Sequence, residues 1–286
     1  MNQTVTVAAL LEEAYGRLRA AQGAEATPEL DAQLLLAHAL GLPRTHLRSH
    51  PETAATPQQA QRLRELVRRR ARGEPLAYLT GAREFWSLSL AVTPAVLIPR
   101  PETELLVERA LALRPARSGR AVDLGTGSGA LALALAAERP GWQVVATDVS
   151  AEALAVARAN AVALGLVRVE FRQGDWFAPL GSERFDLVLS NPPYVAADDP
   201  AMAAPALTFE PRLALTPGTD ALACLRQLAH GAPRHLERGG WLLLEHGADQ
   251  GGAVRRELVL AGFTHVRSHR DLAGHERMTE GQHDQV

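Results

Sequence analysis

Five short apolar runs alternate with helical segments from residue 120 onward, and this rhythm constrains the fold more than any other feature. Arg120–Leu124, Gln143–Thr147, Val167–Arg172, Phe185–Ser190 and Gly240–Glu245 read as strands buried on both faces. Helices are expected between them at Ala130–Glu138, Ala151–Leu164 and Asp220–His235. Such alternation implies a mostly parallel sheet with helices on both sides. Two weaker runs, Phe263–Ser268 and Glu276–Glu280, would close the sheet as an antiparallel edge.

The first 75 residues read as helical throughout. Leu10, Leu11, Ala14 and Leu18 recur at helical spacing, and a second run covers Asp31 to Leu40 and stops at Gly41. Thr56-Pro57 starts a third helix with Leu63, Leu66 and Val67 on one face. Its other face carries Arg62, Arg64, Arg68, Arg69, Arg70 and Arg72, a pattern that most simply makes a solvated face. Between 76 and 100, Phe85, Trp86, Leu88, Leu90, Val92, Val96, Leu97 and Ile98 predict a hairpin broken at Thr93-Pro94. Ile98-Pro99-Arg100-Pro101-Glu102-Thr103-Glu104 then gives a proline-fixed entry into a helix near Thr103. The expected division is a helical domain over 1–75, a hairpin linker over 76–100 and an α/β domain over 101–286.

Composition removes several classes of function. With 47% apolar residues, the 286-residue chain can bury a sizeable core. All 30 basic residues are Arg and face 32 acidic ones, so no global positive field exists to hold nucleic acid. Cys224 alone can form neither an intramolecular disulfide nor a cysteine zinc site. His265 and His269 are four apart on a predicted strand and read as surface residues, so no metal is expected. No apolar stretch is long enough for a membrane helix, and the Met-Asn-Gln-Thr-Val start lacks the features of a secretory leader. A soluble, cytoplasmic protein is expected.

Four motifs carry chemistry. Asp123-Leu124-Gly125-Thr126-Gly127-Ser128-Gly129-Ala130 lies between a strand and a helix, where glycines let the backbone turn sharply against a ligand. Asp148 ends the next strand, and its two oxygens suit two ribose hydroxyls; the competing role of helix N-cap can be filled by Ser150. Gly174-Asp175-Trp176-Phe177 follows the third strand, and an acid beside an aromatic ring suits adenine as well as it suits a turn with a buried Trp. Asn191-Pro192-Pro193-Tyr194 closes the fourth strand at the carboxyl edge, where open α/β sheets bind ligands. Its two prolines remove N–H donors, leaving the Asn191 side-chain oxygen, backbone carbonyls and a flat ring to receive a planar –NH₂ group.

Together the motifs point to S-adenosylmethionine-dependent methylation of a planar nitrogen. The chain resembles the PrmC/HemK family of release-factor glutamine methyltransferases. The resemblance runs through Arg83–Leu88, Leu97–Glu104, Asp123–Ala130, Asn191–Tyr194, Phe209-Glu210-Pro211, Leu243–Gly247 and Glu276-Arg277. It implies a class I S-adenosylmethionine-dependent methyltransferase domain, Rossmann-like with a seven-stranded mostly parallel sheet, and a small N-terminal helical domain that recognises the substrate. It also implies that the substrate is the glutamine of the Gly-Gly-Gln motif in peptide-chain release factors, methylated at N5. On the matching positions, Gly125, Thr126, Gly127, Ser128 and Gly129 would hold the methionine end of the cofactor, and Asp148 the ribose. Asp175 and Trp176 would hold adenine, and Asn191 would touch both cofactor and substrate. Pro192, Pro193 and Tyr194 would hold the glutamine amide, with Arg100, Glu102 and Thr103 lining the pocket. No direct nucleic-acid contact, no membrane and a monomer are expected. A DNA or RNA adenine methyltransferase would share Asn191–Tyr194 but need a target-reading surface. A nicotinamide-dependent oxidoreductase would use the glycine turn and leave Asn191–Tyr194 without a job. A non-catalytic binding module would explain none of the motifs.

Overall fold

The structure, a computed structural model, describes residues 5–21, 27–114 and 118–284. It falls into two units, one comprising the residues through Gly81 with Ala204–Phe209, the other Ala82–Ala203 with the residues from Glu210 on.

The first unit contains β1 (Val5–Thr6), α1 (Val7–Ala21), α2 (Pro28–Leu40), α3 (Arg44–Ser49), β2 (Ala54–Ala55), α4 (Pro57–Ala71) and α5 (Leu76–Thr80). Leu10, Leu18, Leu35, Leu36 and Leu63 are fully buried between the helices, each contributing about 1.5–3 kcal/mol. The α4 start is fixed by a reciprocal cap: Gln59 N–H donates to Thr56 Oγ1 (3.2 Å) and Thr56 N–H to Gln59 Oε1 (2.9 Å). A helical reading throughout was too simple, because β1 and β2 pair antiparallel, Val5 opposite Ala55 and Thr6 opposite Ala54. Two-residue strands are too short to show a period of two. Residues 1–4 and 22–26 of that reading lie outside the described residues. The arginine face of α4 is largely neutralised in place: Arg64 pairs with Glu13, Arg68 with Glu65, Arg69 with Glu74 and Arg70 with Asp31.

The second unit opens with the hairpin β3 (Ala82–Phe85) and β4 (Leu88–Ala91). Its turn is Trp86-Ser87, not Thr93-Pro94, and both turn residues have positive φ (50° and 59°). That conformation normally calls for Asn or Gly, and neither is present to mark the turn. Two carboxylates hold it: Trp86 N–H donates to Glu104 Oε1 and the indole N–H to Glu138 Oε1, both at 2.8 Å. Val96–Ile98 forms no strand.

A 3₁₀ turn at Pro101–Thr103 leads into α6 (Glu104–Leu113), followed by β5 (Gly119–Leu124), α7 (Ala130–Glu138), β6 (Trp142–Asp148), α8 (Ala151–Ala163), β7 (Glu170–Gln173) and β8 (Phe185–Ser190). Then come α9 (Arg212–Leu215), α10 (Ala223–Gly231), β9 (Leu236–Glu245), α11 (Gly251–Leu260), β10 (Thr264–Arg270) and β11 (Glu276–His283). They build the expected seven-stranded sheet, in the order β7-β6-β5-β8-β9-β11-β10. β5 to β9 run parallel, and β11 pairs antiparallel with both β9 and β10. Two apolar clusters cover the sheet, one around Leu131–Leu135 and Leu106, the other around Leu225, Leu228, Val254 and Leu258. The order reverses between β5 and β8, and a crevice opens there beyond the strand ends.

Some boundaries differ from the sequence reading. β7 is a short edge strand whose residues are partly or fully exposed, so Val167–Arg172 is not buried on both faces. The helix expected over Asp220–His235 is α10 plus a 3₁₀ turn at Ala232–His235, broken at Pro233.

Candidate functional site

A cavity of about 420 Å³ lies at this crevice. Gly125, Thr126, Gly127 and Ser128 from the β5–α7 turn, Asp148 from β6, Asp175 and Trp176 after β7, and Asn191 and Pro193 after β8 all line it. Four separate sequence motifs therefore meet in one pocket.

The glycine turn is tightly determined. Gly125 and Thr126 N–H both donate to the Thr147 carbonyl (2.9 Å). At Gly125 (φ +75°) a Cβ would sit 3.1 Å from the Trp176 ring, so the indole lies against bare backbone. Gly129 (φ +86°) does not line the cavity; a Cβ there would meet Leu133 at 3.0 Å and Ala157 at 3.3 Å, so its part is the close seating of α7 and α8. The Ser128 carbonyl accepts from Asn160 Nδ2 (2.9 Å), and the same amide exchanges two hydrogen bonds with Ala91 of β4. Nothing local in the sequence marks Asn160 for this role.

Asp148 accepts from Gly127 N–H through Oδ2 and from Ser150 N–H through Oδ1, both at 2.9 Å. Each oxygen keeps a lone pair for a ligand hydroxyl. Ser150 caps α8 by accepting from Ala153 N–H (3.1 Å), so that helix does not need Asp148 as its cap. Burial pushes the Asp148 carboxyl up, opposed by its backbone hydrogen bonds.

Asp123 was not singled out as a binding residue. Its Oδ2 accepts from Thr126 Oγ1 (2.6 Å) and Ala132 N–H (3.2 Å), while Oδ1 is buried without a partner. Burial pushes this carboxyl up to about 7, with a further upward contribution from Asp148. A buried acceptor of that kind, lining a cavity, suits a cationic donor.

Asn191 donates through Nδ2 to Thr103 Oγ1 (3.1 Å), which leaves Oδ1 able to accept. Pro192 is buried and Tyr194 half-buried, and neither lines the cavity. The Tyr194 hydroxyl instead donates to Glu245 Oε1 (3.2 Å), and Gln250 Nε2 donates to the Tyr194 carbonyl (2.9 Å). Of the three residues expected to line the pocket beside it, only Thr103 does. Arg100 turns to Glu210 (2.6 Å), whose second oxygen accepts from Ile98 N–H (3.1 Å). This buried carboxylate ties the segment bearing Pro211 and Leu213 to the segment bearing Leu97 and Pro99, two walls of the cavity. Cys224 lines the cavity as well, its thiol pushed up by burial and by Asp175.

The histidines lie elsewhere. His246 is fully buried, held by Thr279 Oγ1 and the Gly247 carbonyl (2.8 Å each). His269 is not the surface residue expected: it is half-buried, its Nε2 3.0 Å from the fully buried Glu280, which also pairs with Arg109 and Arg267. Among the described residues no three His, Cys, Asp or Glu side chains cluster in a way that could hold a metal ion.

The family model described as the PrmC N-terminal domain matches residues 9–81, and the one described as the methyltransferase small domain matches residues 101–252. The chain is 51% identical to a release factor glutamine methyltransferase of Xylella fastidiosa over 263 residues, covering 92% of this chain and 96% of that one. It is 44% identical to a release factor glutamine methyltransferase of Escherichia coli over 275 residues, covering 96% and 98%. Among solved structures, a methyltransferase from Pyrococcus furiosus shares the fold, with a TM-score of 0.52 at 19% identity over 69% of this chain and 90% of that chain.

Proposed function

The chain belongs to the family of release factor glutamine methyltransferases, and from that premise we propose that its cavity joins S-adenosylmethionine to the Gly-Gly-Gln glutamine of a peptide-chain release factor and methylates the side-chain amide at N5. The observation that carries the reading is the meeting of the glycine turn, Asp148 and Asn191 in one cavity.

The residues present fit the cofactor. Asp123 Oδ1, buried and unpartnered, would take the ammonium of its methionine end beside Gly125–Ser128. Asp148 would take the ribose hydroxyls, and Asp175 with Trp176 the adenine. When bound, S-adenosylmethionine supplies an electrophilic methyl group on a sulfonium cation. Val96, Leu97 and Pro211 give the cavity apolar walls, which favours a transition state in which charge is dispersed.

An amide nitrogen is a poor nucleophile because its lone pair is delocalised into the carbonyl. Accepting an N–H bond at Asn191 Oδ1, which faces the cavity, draws electron density onto nitrogen and aims the lone pair. The methylated nitrogen is acidic and needs no dedicated base. Tyr194 serves this site through Glu245, as an anchor of the loop.

Residues 1–75 supply the surface that recognises the release factor, with 76–100 as linker and the residues from 101 on as the methyltransferase domain. A substrate that acts in translation supports a cytoplasmic enzyme. Separately, among the described residues no helix is long and apolar enough to cross a membrane. The test is incubation with methyl-labelled S-adenosylmethionine and, in parallel, a release factor, a DNA duplex and an RNA. Label in the release factor supports the reading, and label confined to nucleic acid overturns it.

A further inference from the structure

The two ends of Asn191–Tyr194 converge on one buried carboxyl. Tyr194 donates to Glu245 Oε1 (3.2 Å), and Asn191 donates to Thr103 Oγ1 (3.1 Å). The Thr103 hydroxyl in turn faces the Glu245 carboxyl and favours its ionised form. Thr103 is 4% exposed and Glu245 1%, so water does not readily replace either partner. Glu245 Oε2 is buried without a hydrogen-bond partner, so this carboxyl keeps unused capacity to accept.

A hydroxyl has one proton to give, and where it goes decides what else the oxygen can do. With its proton committed to an ionised Glu245, Thr103 Oγ1 can only accept from Asn191. The Asn191 –NH₂ must then face Thr103, and its Oδ1 is the end left for a substrate amide. If Thr103 gave its proton to Asn191 instead, the amide would turn over and present a donor to the substrate's own N–H groups.

We propose that Glu245 is a positioning residue for methyl transfer: acting through Thr103, it sets which end of the Asn191 side-chain amide faces the substrate. This rests on the reading of Asn191 as acceptor for the glutamine amide. It concerns a residue that lies outside the cavity and 54 positions from Asn191 in the chain.

The groups facing Glu245 also make its action pH-dependent. Burial pushes its carboxyl up to about 7, and Glu102 raises it further, while Thr103, Tyr194 and Arg277 draw it down. Below that pH the protonated carboxyl can donate to Thr103 instead of accepting from it, which releases the Thr103 proton toward Asn191.

The test is single-turnover methylation of a release factor with cofactor saturating, on wild type, Glu245→Gln, Thr103→Val, Thr103→Ser and the Gln–Val double variant, with cofactor affinity measured on each. Glu245→Gln and Thr103→Val should each lower the rate by about tenfold or more, with cofactor affinity within about threefold of wild type. Thr103→Ser, which keeps the hydroxyl, should stay within about threefold of wild type. Two residues acting in series lose little more together than singly, so the double variant should match Thr103→Val alone. The wild-type rate should rise with pH through about 7, and that rise should vanish in Thr103→Val even if Glu245→Gln fails to fold. Multiplying losses in the double variant, Glu245→Gln at the wild-type rate, or an unchanged pH profile in Thr103→Val overturns the proposal. Full activity in Asn191→Ala overturns the underlying reading instead, which keeps the two failures apart.

Discussion

Replacing Asp123 by Asn should make the protein more stable and a poorer binder of its cofactor. Both existing hydrogen bonds to Asp123 end on the same oxygen, from Thr126 Oγ1 and Ala132 N–H. The Asn oxygen can keep both, placing its –NH₂ where the unpartnered Oδ1 now lies. The carboxyl is pushed from 3.8 to about 7, chiefly by burial. At about 1.4 kcal/mol per pH unit, holding it ionised in the fold at pH 8 costs up to about 4 kcal/mol relative to the unfolded chain. The sign follows from the raised value: the unfolded carboxyl ionises near pH 4 and the folded one near 7. Its contribution to stability therefore declines between those values, and the full cost is present above 7. Asp123→Asn should match wild type near pH 4 and exceed it by up to about 4 kcal/mol at pH 8 in urea unfolding. Cofactor affinity should fall by about tenfold to a hundredfold, the worth of a hydrogen bond between charged groups. Opposite changes in stability and affinity are the signature of a charge kept for its ligand. A variant less stable than wild type at pH 8, or one with unchanged cofactor affinity by calorimetry, refutes the reasoning.

Asp148→Ala should weaken cofactor binding by about 1.5–3 kcal/mol for each ribose hydrogen bond lost, and it also strips Gly127 and Ser150 N–H of their acceptor; unchanged affinity in calorimetry sinks the ribose assignment. Cys224, the only cysteine, lines the cavity, so saturating cofactor should slow its alkylation by iodoacetamide. Equal rates with and without cofactor contradict the placement. Removing residues 1–75 should leave cofactor binding largely intact and abolish methylation of an intact release factor, and full activity in the truncated chain rejects recognition by the N-terminal unit.

The sheet was legible because its central strands are buried on both faces, as in Ala121–Leu124 and Leu187–Leu189. It was least legible where tertiary contacts replace local propensity. The Trp86-Ser87 turn carries positive φ without Gly or Asn because Glu104 and Glu138, distant in sequence, hold it. The motifs that touch the cavity were readable as local patterns, since glycine turns and proline pairs restrict their own backbone. The side chains that support them were not. Asn160 reaches the Ser128 carbonyl across 32 residues, Glu210 reaches Arg100 across 110, and Thr103 meets Asn191 across 88. No spacing rule connects such pairs, because the fold alone brings them together. Asp123 was visible inside its motif, but its unpartnered oxygen is a property of burial and not of sequence. Tyr194 was expected to face the glutamine, yet its hydroxyl is drawn to the buried Glu245, 51 residues further along the chain.

The most direct measurement is the rate at which N5-methylglutamine forms in the Gly-Gly-Gln peptide of a release factor, followed by mass spectrometry in single turnover with saturating cofactor. Wild type should place the label on that glutamine. Asn191→Ala should do so about 10²–10³ times more slowly, because one preorganised acceptor is gone, and Asn191→Asp should fall between the two. Cofactor affinity should change much less than the rate in both variants. Label on any other residue, or Asn191→Ala within threefold of wild type, contradicts the account.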